Sequence, residues 1–184
     1  MLTLIKRTDP RILDNMKNHY SQPKGFVGRN ICYAIEIDSK YYGSIVGGSS
    51  TLHLVGRDEF FGLDQTNKQT KLKQIINNIF FHIEKVDGSY PCRNFSQVVM
   101  KEFRTRIAVD WKEKYGDDVI GFETLVELPR TGELYIRDNW TEVGITKGYT
   151  CKRIAGNGTD SWSGKRVWDT ENLRPKRVFC KTIS

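Results

Sequence analysis

Two side chains that can accept and donate protons, His19 and Glu123, lie at unusual positions relative to the helix and the strand expected around them. His19 follows an expected helix and precedes a loop with Pro23 and Gly25, which cannot continue that helix. Glu123 lies on the face of an expected strand that also carries Leu125, so the strand pattern predicts that this carboxylate is buried. Both are candidates for acid–base chemistry, and the alternative for His19 is a simple favourable interaction with the helix dipole.

A second candidate site is the entry into the longest expected helix. The run Cys92-Arg93-Asn94-Phe95-Ser96 places an arginine and two amide or hydroxyl side chains beside backbone N–H groups that a helix start leaves free. A strand followed by such a helix start can bind phosphate. The alternative is an ordinary asparagine or serine cap with Arg93 on the surface.

Basic and aromatic residues are interleaved in the last third of the chain. The chain carries 29 Lys plus Arg against 22 Asp plus Glu, a net charge of +7. This charge favours a polyanionic partner, because cations beside aromatic rings are what a nucleic-acid groove offers to phosphates and unstacked bases. A basic surface that only confers solubility is the alternative. The candidate nucleic-acid-binding residues are Lys147, Tyr149, Lys152, Arg153, Trp162, Lys165 and Arg166.

Several classes of protein are disfavoured by the composition. Cys32, Cys92, Cys151 and Cys180 are far apart without a zinc-type spacing, so we expect reduced thiols and no cysteine-based metal site. The chain has no apolar run of signal-peptide type and no stretch of about 18 apolar residues. We therefore expect a soluble, cytoplasmic protein without a membrane partner.

The elements that position these residues follow from hydrophobic periodicity and turn residues. An apolar face that recurs every three to four residues predicts a long helix over 95–115, which ends at Gly116. Asp9 and Pro10 mark an earlier helix start, and the polar run Asp64 to Lys73 is expected to be a solvated loop. The predicted order is strand 2–7, helix 10–18, strands 30–37 and 41–49, strand 74–85, helix 95–115, strand 119–126, helix 133–140, and strands 141–147, 149–153 and 177–183.

A length of 184 residues suits one substantial core. The prediction is therefore a single domain, residues 1–184, of the α/β (α+β) class, with a mixed central sheet flanked by helices. Residues 149–184 would form its basic, loop-rich C-terminal part.

The order of elements and several short motifs resemble known families. The motifs, which span about residues 15 to 150, are His19-Tyr20-Ser21, Arg93-Asn94-Phe95-Ser96, Asp110-Trp111, Phe122-Glu123-Thr124, Gly132, Tyr135, Asn139-Trp140, Val143-Gly144 and Thr146-Lys147-Gly148. The element order is similar to that of the GNAT acyltransferase fold. The motifs resemble those of the phage Mom DNA-modification proteins and of the related domain in Druantia defence systems.

The resemblance implies a transferase that modifies the N6 amino group of adenine in duplex DNA and so protects it from restriction. It implies a small-molecule donor, acetyl-CoA or a related acyl donor, although the Gly-rich pyrophosphate loop of typical acetyltransferases is missing between Glu84 and Phe95. Glu123, at the acidic strand position, looks closer to the Druantia-associated domain than to Mom. Carried over by residue, the resemblance assigns the active-site pocket to His19, Tyr20 and Glu123 and the cofactor to Arg93, Asn94 and Ser96.

The implied chemistry is demanding, because the adenine amine delocalises its lone pair into the ring and is stacked and paired in duplex DNA. The base must be extracted at a cost of a few kcal/mol before it reacts. His19 can then act as a base, with Glu123 orienting it or accepting a proton. Alternatively, His19, Tyr20 and Glu123 hold a divalent metal, iron or zinc.

Two other functions stay open. One is a GNAT-type acetyltransferase that acts on a protein or a small molecule, and the other is a non-catalytic DNA-binding module of a defence or counter-defence system.

Overall fold

A mixed sheet forms the centre of the molecule, of which the computed structural model describes residues 2–6, 10–21, 23, 25–154 and 165–183. In chain order the elements are β1 (Leu2–Lys6), α1 (Pro10–Asn18), β2 (Asn30–Ile37), β3 (Lys40–Ser49), α2 (Val55–Phe60), α3 (Lys68–Gln74), β4 (Ile75–Ile83), α4 (Phe95–Tyr115), β5 (Gly121–Glu127), α5 (Glu133–Arg137), β6 (Thr141–Ile145), β7 (Thr150–Ile154), β8 (Lys165–Asp169) and β9 (Lys176–Thr182). Seven strands pair in the order β1-β2-β3-β4-β5-β9-β6, and β7 pairs with β8 in a separate hairpin. β4 and β5 run parallel, whereas the other neighbours in the large sheet are antiparallel.

Helices cover both faces of this sheet. On one face α4 buries Val99, Phe103 and Ile107 completely against strand residues of the main core cluster. On the other face α1 packs Ile12 and Met16 against residues of β3 and β4, and the segment before α2 packs against β9. Each large apolar side chain that is fully buried contributes about 1.5 to 3 kcal/mol, so α4 anchors the fold. The predicted fold class, a mixed sheet flanked by helices in one domain, is confirmed.

Most predicted elements are present, with ends shifted by a few residues. The long helix ends where it was expected to, since Gly116 adopts the left-handed conformation at φ 77° and its N–H bonds the Lys112 carbonyl. Asp9, the predicted helix cap, lies outside the described residues, as do residues 155–164 of the expected loop near the C-terminus. β8 was not predicted.

The expectation of a loop over Asp64 to Lys73 is wrong, because α3 begins at Lys68. The Asp64 carboxylate accepts hydrogen bonds from the backbone N–H groups of Thr66 (2.8 Å) and Asn67 (3.0 Å). This turn starts a short helix of residues with good helix propensity, which a reading of polarity alone could not distinguish from a loop. Among the described residues, no helix is both long and apolar enough to cross a membrane.

Candidate active site

A gap opens in the sheet where β4 and β5 part. The two strands pair only at Ile75–Gly121, Ile76–Phe122 and Asn77–Glu123, and beyond these pairs they diverge. On its other side β4 carries a bulge, because Val46 of β3 pairs with Phe80 while Gly47 pairs with Asn78. A bulge bends its strand and sharpens the local twist. This bulge lies next to the residues at which the pairing of β4 with β5 ends.

Side-chain hydrogen bonds replace the missing backbone pairing at the point of divergence. Thr124 Oγ1 donates to the Asn78 carbonyl (3.0 Å), and the Tyr135 hydroxyl donates to Asn78 Oδ1 (2.7 Å). The Asn78 amide in turn donates to the carbonyls of Val46 and Phe80 (both 3.2 Å). This buried network holds the two strands apart without leaving its polar groups unsatisfied.

The gap forms a cavity of about 380 Å³ that reaches both sides of the sheet. Its lining comes from β4, β5, the start of α5 and the residues that follow α1. Tyr135 enters it from α5, 8% exposed, with its ring stacked on Phe179 at 5.8 Å. Burial raises the pKa of the Tyr135 hydroxyl well above its usual range, so the hydroxyl keeps its proton at physiological pH. Gly132 caps α5 at φ 76°, and a Cβ there would collide with the ring of Phe179.

His19 and Tyr20 form the wall of this cavity on the side of α1. The His19 ring lies 4.7 Å from the Phe80 ring and 4.2 Å from the Tyr20 ring. The Arg130 guanidinium lies 3.5 Å from the centre of the Tyr20 ring, a cation–π contact that joins this wall to the loop before α5. The structure thus brings His19 and Tyr20 together, as their adjacency in the sequence requires, and places Tyr135 in the same cavity.

His19 is neutral in the folded protein. Burial first, then the neighbouring His82 and Arg130, lower its pKa from 6.5 to about 4. The Ser21 N–H donates to His19 Nδ1 (3.3 Å), so the neutral ring carries its proton on Nε2. The Ser21 hydroxyl lies 2.8 Å from the same Nδ1.

The lowered pKa of His19 predicts that the folded protein loses stability in acid. Between pH 6.5 and about 4 the unfolded chain binds a proton at His19 and the folded chain does not, so stability falls as the pH drops through this window. Urea unfolding should therefore show that wild type loses about 2 to 3 kcal/mol more than His19→Gln between pH 7 and pH 4.5. Between pH 7 and pH 8 the two proteins should change alike. Equal losses on acidification would contradict the prediction.

Glu123 does not meet His19, and the expected pairing of the two is wrong. The Glu123 carboxylate is fully buried, where it forms an ion pair with Arg57 Nη1 and accepts the Thr51 N–H at 2.6 Å. It faces away from the cavity because side chains alternate along a strand and Thr124 faces the cavity. Burial raises the pKa of the Glu123 carboxyl, and the Arg57 guanidinium opposes this. The burial of the Glu123 carboxylate is therefore explained by its ion pair with Arg57 of α2 and not by His19.

A metal site made of His19, Tyr20 and Glu123 has no basis in this geometry. Both Glu123 oxygens already have partners, and within the described part of the chain no three His, Cys, Asp or Glu side chains gather in a way that could hold a metal ion.

The start of α4 lies apart from the cavity lining. Arg93 and Asn94 are exposed and Ser96 is half-buried. Asn94 occupies the cap position in the left-handed conformation, at φ 63°, and its side chain makes no capping hydrogen bond. The ordinary asparagine cap therefore does not form, and a phosphate-binding role for these three residues remains a prediction.

The predicted nucleic-acid residues lie around the connection between β6 and β9. Lys147 and Tyr149 line a second cavity of about 410 Å³. Leu125 of β5 lines both cavities, so the strand separates them. Lys152 and Arg153 lie on β7, Lys165 and Arg166 on β8, and Trp162 lies outside the described residues.

Asn78 and Tyr135 are cavity residues that the sequence analysis did not assign to a site. Asn77 and Asn78 interrupt an otherwise apolar run on β4, which was a usable signal because a buried amide needs hydrogen-bond partners. Tyr135 was noted only as part of a motif, although a buried tyrosine hydroxyl also needs a partner. Arg57, fully buried on a short helix, left no comparable signal.

Comparison with known proteins places the chain in a family. The model of the Druantia protein DruA family matches residues 5–156, which is most of the chain. The chain belongs to the DruA family. This confirms the Druantia part of the resemblance, whereas the Mom part stays a prediction. No curated protein matches this DruA-family chain.

Solved structures show the fold of this DruA-family protein. A GNAT family acetyltransferase from Elizabethkingia anophelis with acetyl-CoA bound matches 100% of the chain and 97% of its own length, at 9% identity and a TM-score of 0.54. A Bacillus subtilis acetyltransferase in complex with CoA matches 100% and 98%, at 11% identity and 0.53. Arabidopsis thaliana NAA60 in complex with acetyl-CoA matches 100% and 99%, at 11% identity and 0.53. The DruA-family chain therefore has the GNAT acetyltransferase fold.

Proposed function

We propose that this protein is a GNAT-type acyltransferase that binds a thioester donor, acetyl-CoA or a related acyl-CoA, between β4 and β5. The observation that carries the proposal is the gap held open by Asn78, Thr124 and Tyr135. Two of the solved structures with this fold have acetyl-CoA bound, and a third is in complex with CoA.

The residues present fit such a donor. Beyond Asn77 the backbone of β4 no longer pairs with β5, so an extended ligand with amide bonds can lie along this inner edge. The carbonyls of Asn78 and Phe80 on β4 already accept side-chain hydrogen bonds. The cavity also reaches both sides of the sheet, so donor and acceptor can enter from different sides. For the phosphate end of the donor we propose Arg93, Asn94 and Ser96 at the start of α4.

The chemistry requires an amine to attack a carbonyl and a thiolate to leave. When bound, the donor would supply an activated acyl carbonyl. In the proposed step the amine nitrogen would bond to the acyl carbon as the carbon–sulfur bond breaks, and the Tyr135 hydroxyl would turn from Asn78 Oδ1, its partner in the structure, to give its proton to the leaving sulfur. The proton that the amine nitrogen loses would then restore the Tyr135 hydroxyl. The low pKa of His19 keeps the ring uncharged, so His19 adds no positive charge to the wall that it forms with Tyr20.

Donor binding is tested by obstructing the cavity. Thr131 is an exposed residue of the lining, so Thr131→Trp should fold normally and weaken acetyl-CoA binding at least tenfold, because the indole takes space in the gap. Isothermal titration calorimetry measures the affinity. The matched control is Thr105→Trp on the exposed side of α4, which should bind as wild type does. Absence of saturable binding to folded wild type would reject the proposal.

A second candidate concerns the acceptor, for which we propose an exocyclic amine of a DNA base, adenine N6 by the resemblance to Mom. The observation that favours it is the second cavity, with Lys147 and Tyr149 in its lining, which adjoins the first across Leu125. Plasmid DNA from cells that express the protein would be digested to nucleosides and weighed by mass spectrometry. A mass-shifted deoxyadenosine supports this acceptor, and unmodified nucleosides reject it while leaving donor binding untouched.

A further inference from the structure

The second cavity has the composition of a nucleotide site. It lies between the segment that follows β3, the outer half of β5 and the connection from β6 to β9. Its volume of about 410 Å³ falls in the range of about 300 to 1,000 Å³ that small-ligand sites occupy. We propose that it binds one unpaired nucleotide of a single-stranded nucleic acid.

Exposed aromatic rings border this cavity. Trp168 is 59% exposed and Tyr149 is 48% exposed, although burial of their large apolar surfaces would be favourable. The other two tryptophans in the described residues, Trp111 and Trp140, are 1% and 5% exposed. Flat aromatic surfaces left open beside a cavity are what bases stack on in single-strand sites, whatever the base sequence.

The charges around the cavity suit a phosphate. Lys147, Arg174 and Lys176 line it together with a single carboxylate, that of Glu127. Arg174 forms a salt bridge with Glu127 at 2.7 Å, so those two charges compensate each other. Within the described residues, neither Lys147 nor Lys176 makes a salt bridge, so two positive charges remain beside the aromatic rings. This is the complement of one base and its flanking phosphates.

The aromatic rings distinguish an unpaired nucleotide from a duplex. A base inside a duplex has both faces covered by its neighbours, so Tyr149 and Trp168 can stack only on a base that is single-stranded or extracted. Nucleic-acid binding in this cavity does not depend on acyl transfer, because it does not require a donor in the first cavity.

The test is fluorescence anisotropy of the full chain with labelled probes at about 150 mM salt. The probes are an oligothymidylate of about 12 nucleotides, the RNA of the same sequence and a DNA duplex of the same length. We expect the single strands to bind more tightly than the duplex, and Trp168→Ala and Tyr149→Ala each to weaken binding about tenfold or more. Trp168→Phe should keep most of the affinity. Lys147→Ala should lower the slope of log K against log salt by about 0.7.

Matched controls test whether binding depends on this cavity or only on the positive charge of the whole protein. Tyr90→Ala removes a 42% exposed ring next to α4, and Lys101→Ala removes an exposed charge from α4, so both should bind like wild type. The binding assay contains no acyl donor, so failure of the transferase proposal leaves this test intact. The proposal would be overturned if both aromatic variants bound like wild type, or if the duplex bound more tightly than the single strands. It would also be overturned if free AMP displaced the oligonucleotide completely and bound with the same affinity.

Discussion

Arg57→Leu should lower the free energy of unfolding by about 3 to 5 kcal/mol, a large share of the stability of a domain of this size. The reason is the buried ion pair. Arg57 and Glu123 are both fully buried, and the guanidinium also donates to the Thr51 carbonyl (2.6 Å) and to Asp58 (2.7 Å). Removal of one partner leaves an uncompensated charge in the core. Glu123→Leu should cost a similar amount.

A double-mutant cycle measured by urea unfolding tests this pair. The combined variant Arg57→Leu, Glu123→Leu should be clearly more stable than the sum of the single losses predicts, because the buried charges disappear together. Glu133→Ala, which breaks an exposed pair with Arg137, is the control and should change stability by no more than about 0.5 kcal/mol. Additive losses in the cycle would contradict the pairing. Glu123→Gln should keep transferase activity once corrected for stability, whereas a catalytic Glu123 would lose it.

Tyr135→Phe should lower kcat by a factor of about 10² to 10⁴ while KM for the donor changes little, because the hydroxyl supplies the proton that the leaving thiolate needs. Stability should fall by about 1 to 3 kcal/mol, since the buried Asn78 Oδ1 loses its donor while the ring keeps its stacking on Phe179. The rate of thiol release from acetyl-CoA measures kcat, with plasmid DNA and small amines supplied as acceptors.

A second buried tyrosine provides the control. Tyr33 donates its hydroxyl to Asp110 at 2.7 Å, away from the cavity, so Tyr33→Phe should lose stability but keep kcat. Comparable kcat in Tyr135→Phe and wild type would show that this hydroxyl does not act as the acid.

The fold could be predicted from the sequence because each helix and strand is determined by residues close together in the chain. The apolar face of α4, the stop at Gly116 and the alternation along β2 and β3 each depend on residues close together in the chain. The prediction missed α3 for a related reason: its sequence is rich in Lys and Gln and has a single apolar residue, Leu72, so there is no hydrophobic periodicity to detect.

The site was harder to predict from the sequence, because its contacts join residues that are far apart in the chain. Glu123 was correctly expected to be buried, but its partner Arg57 lies 66 residues earlier, and nothing in a strand pattern identifies such a partner. The gap between β4 and β5 lies beside a bulge and the Asn78 side chain, neither of which alters hydrophobic alternation enough to be seen. His19 lies beside the gap because α1 ends there. The direction of α1 is set by its packing in the folded protein and not by its own sequence.

The place of β9 in the sheet has a consequence for how the chain folds during synthesis. β9 spans positions 176–182 and lies between β5 and β6, so β6 joins the large sheet only through it. Until these residues have left the ribosome, β5 has an open edge and β6 has no neighbour in that sheet. The sheet therefore closes only after β9 has been made, and a chain that stops before Lys176 lacks two strands of the sheet rather than one.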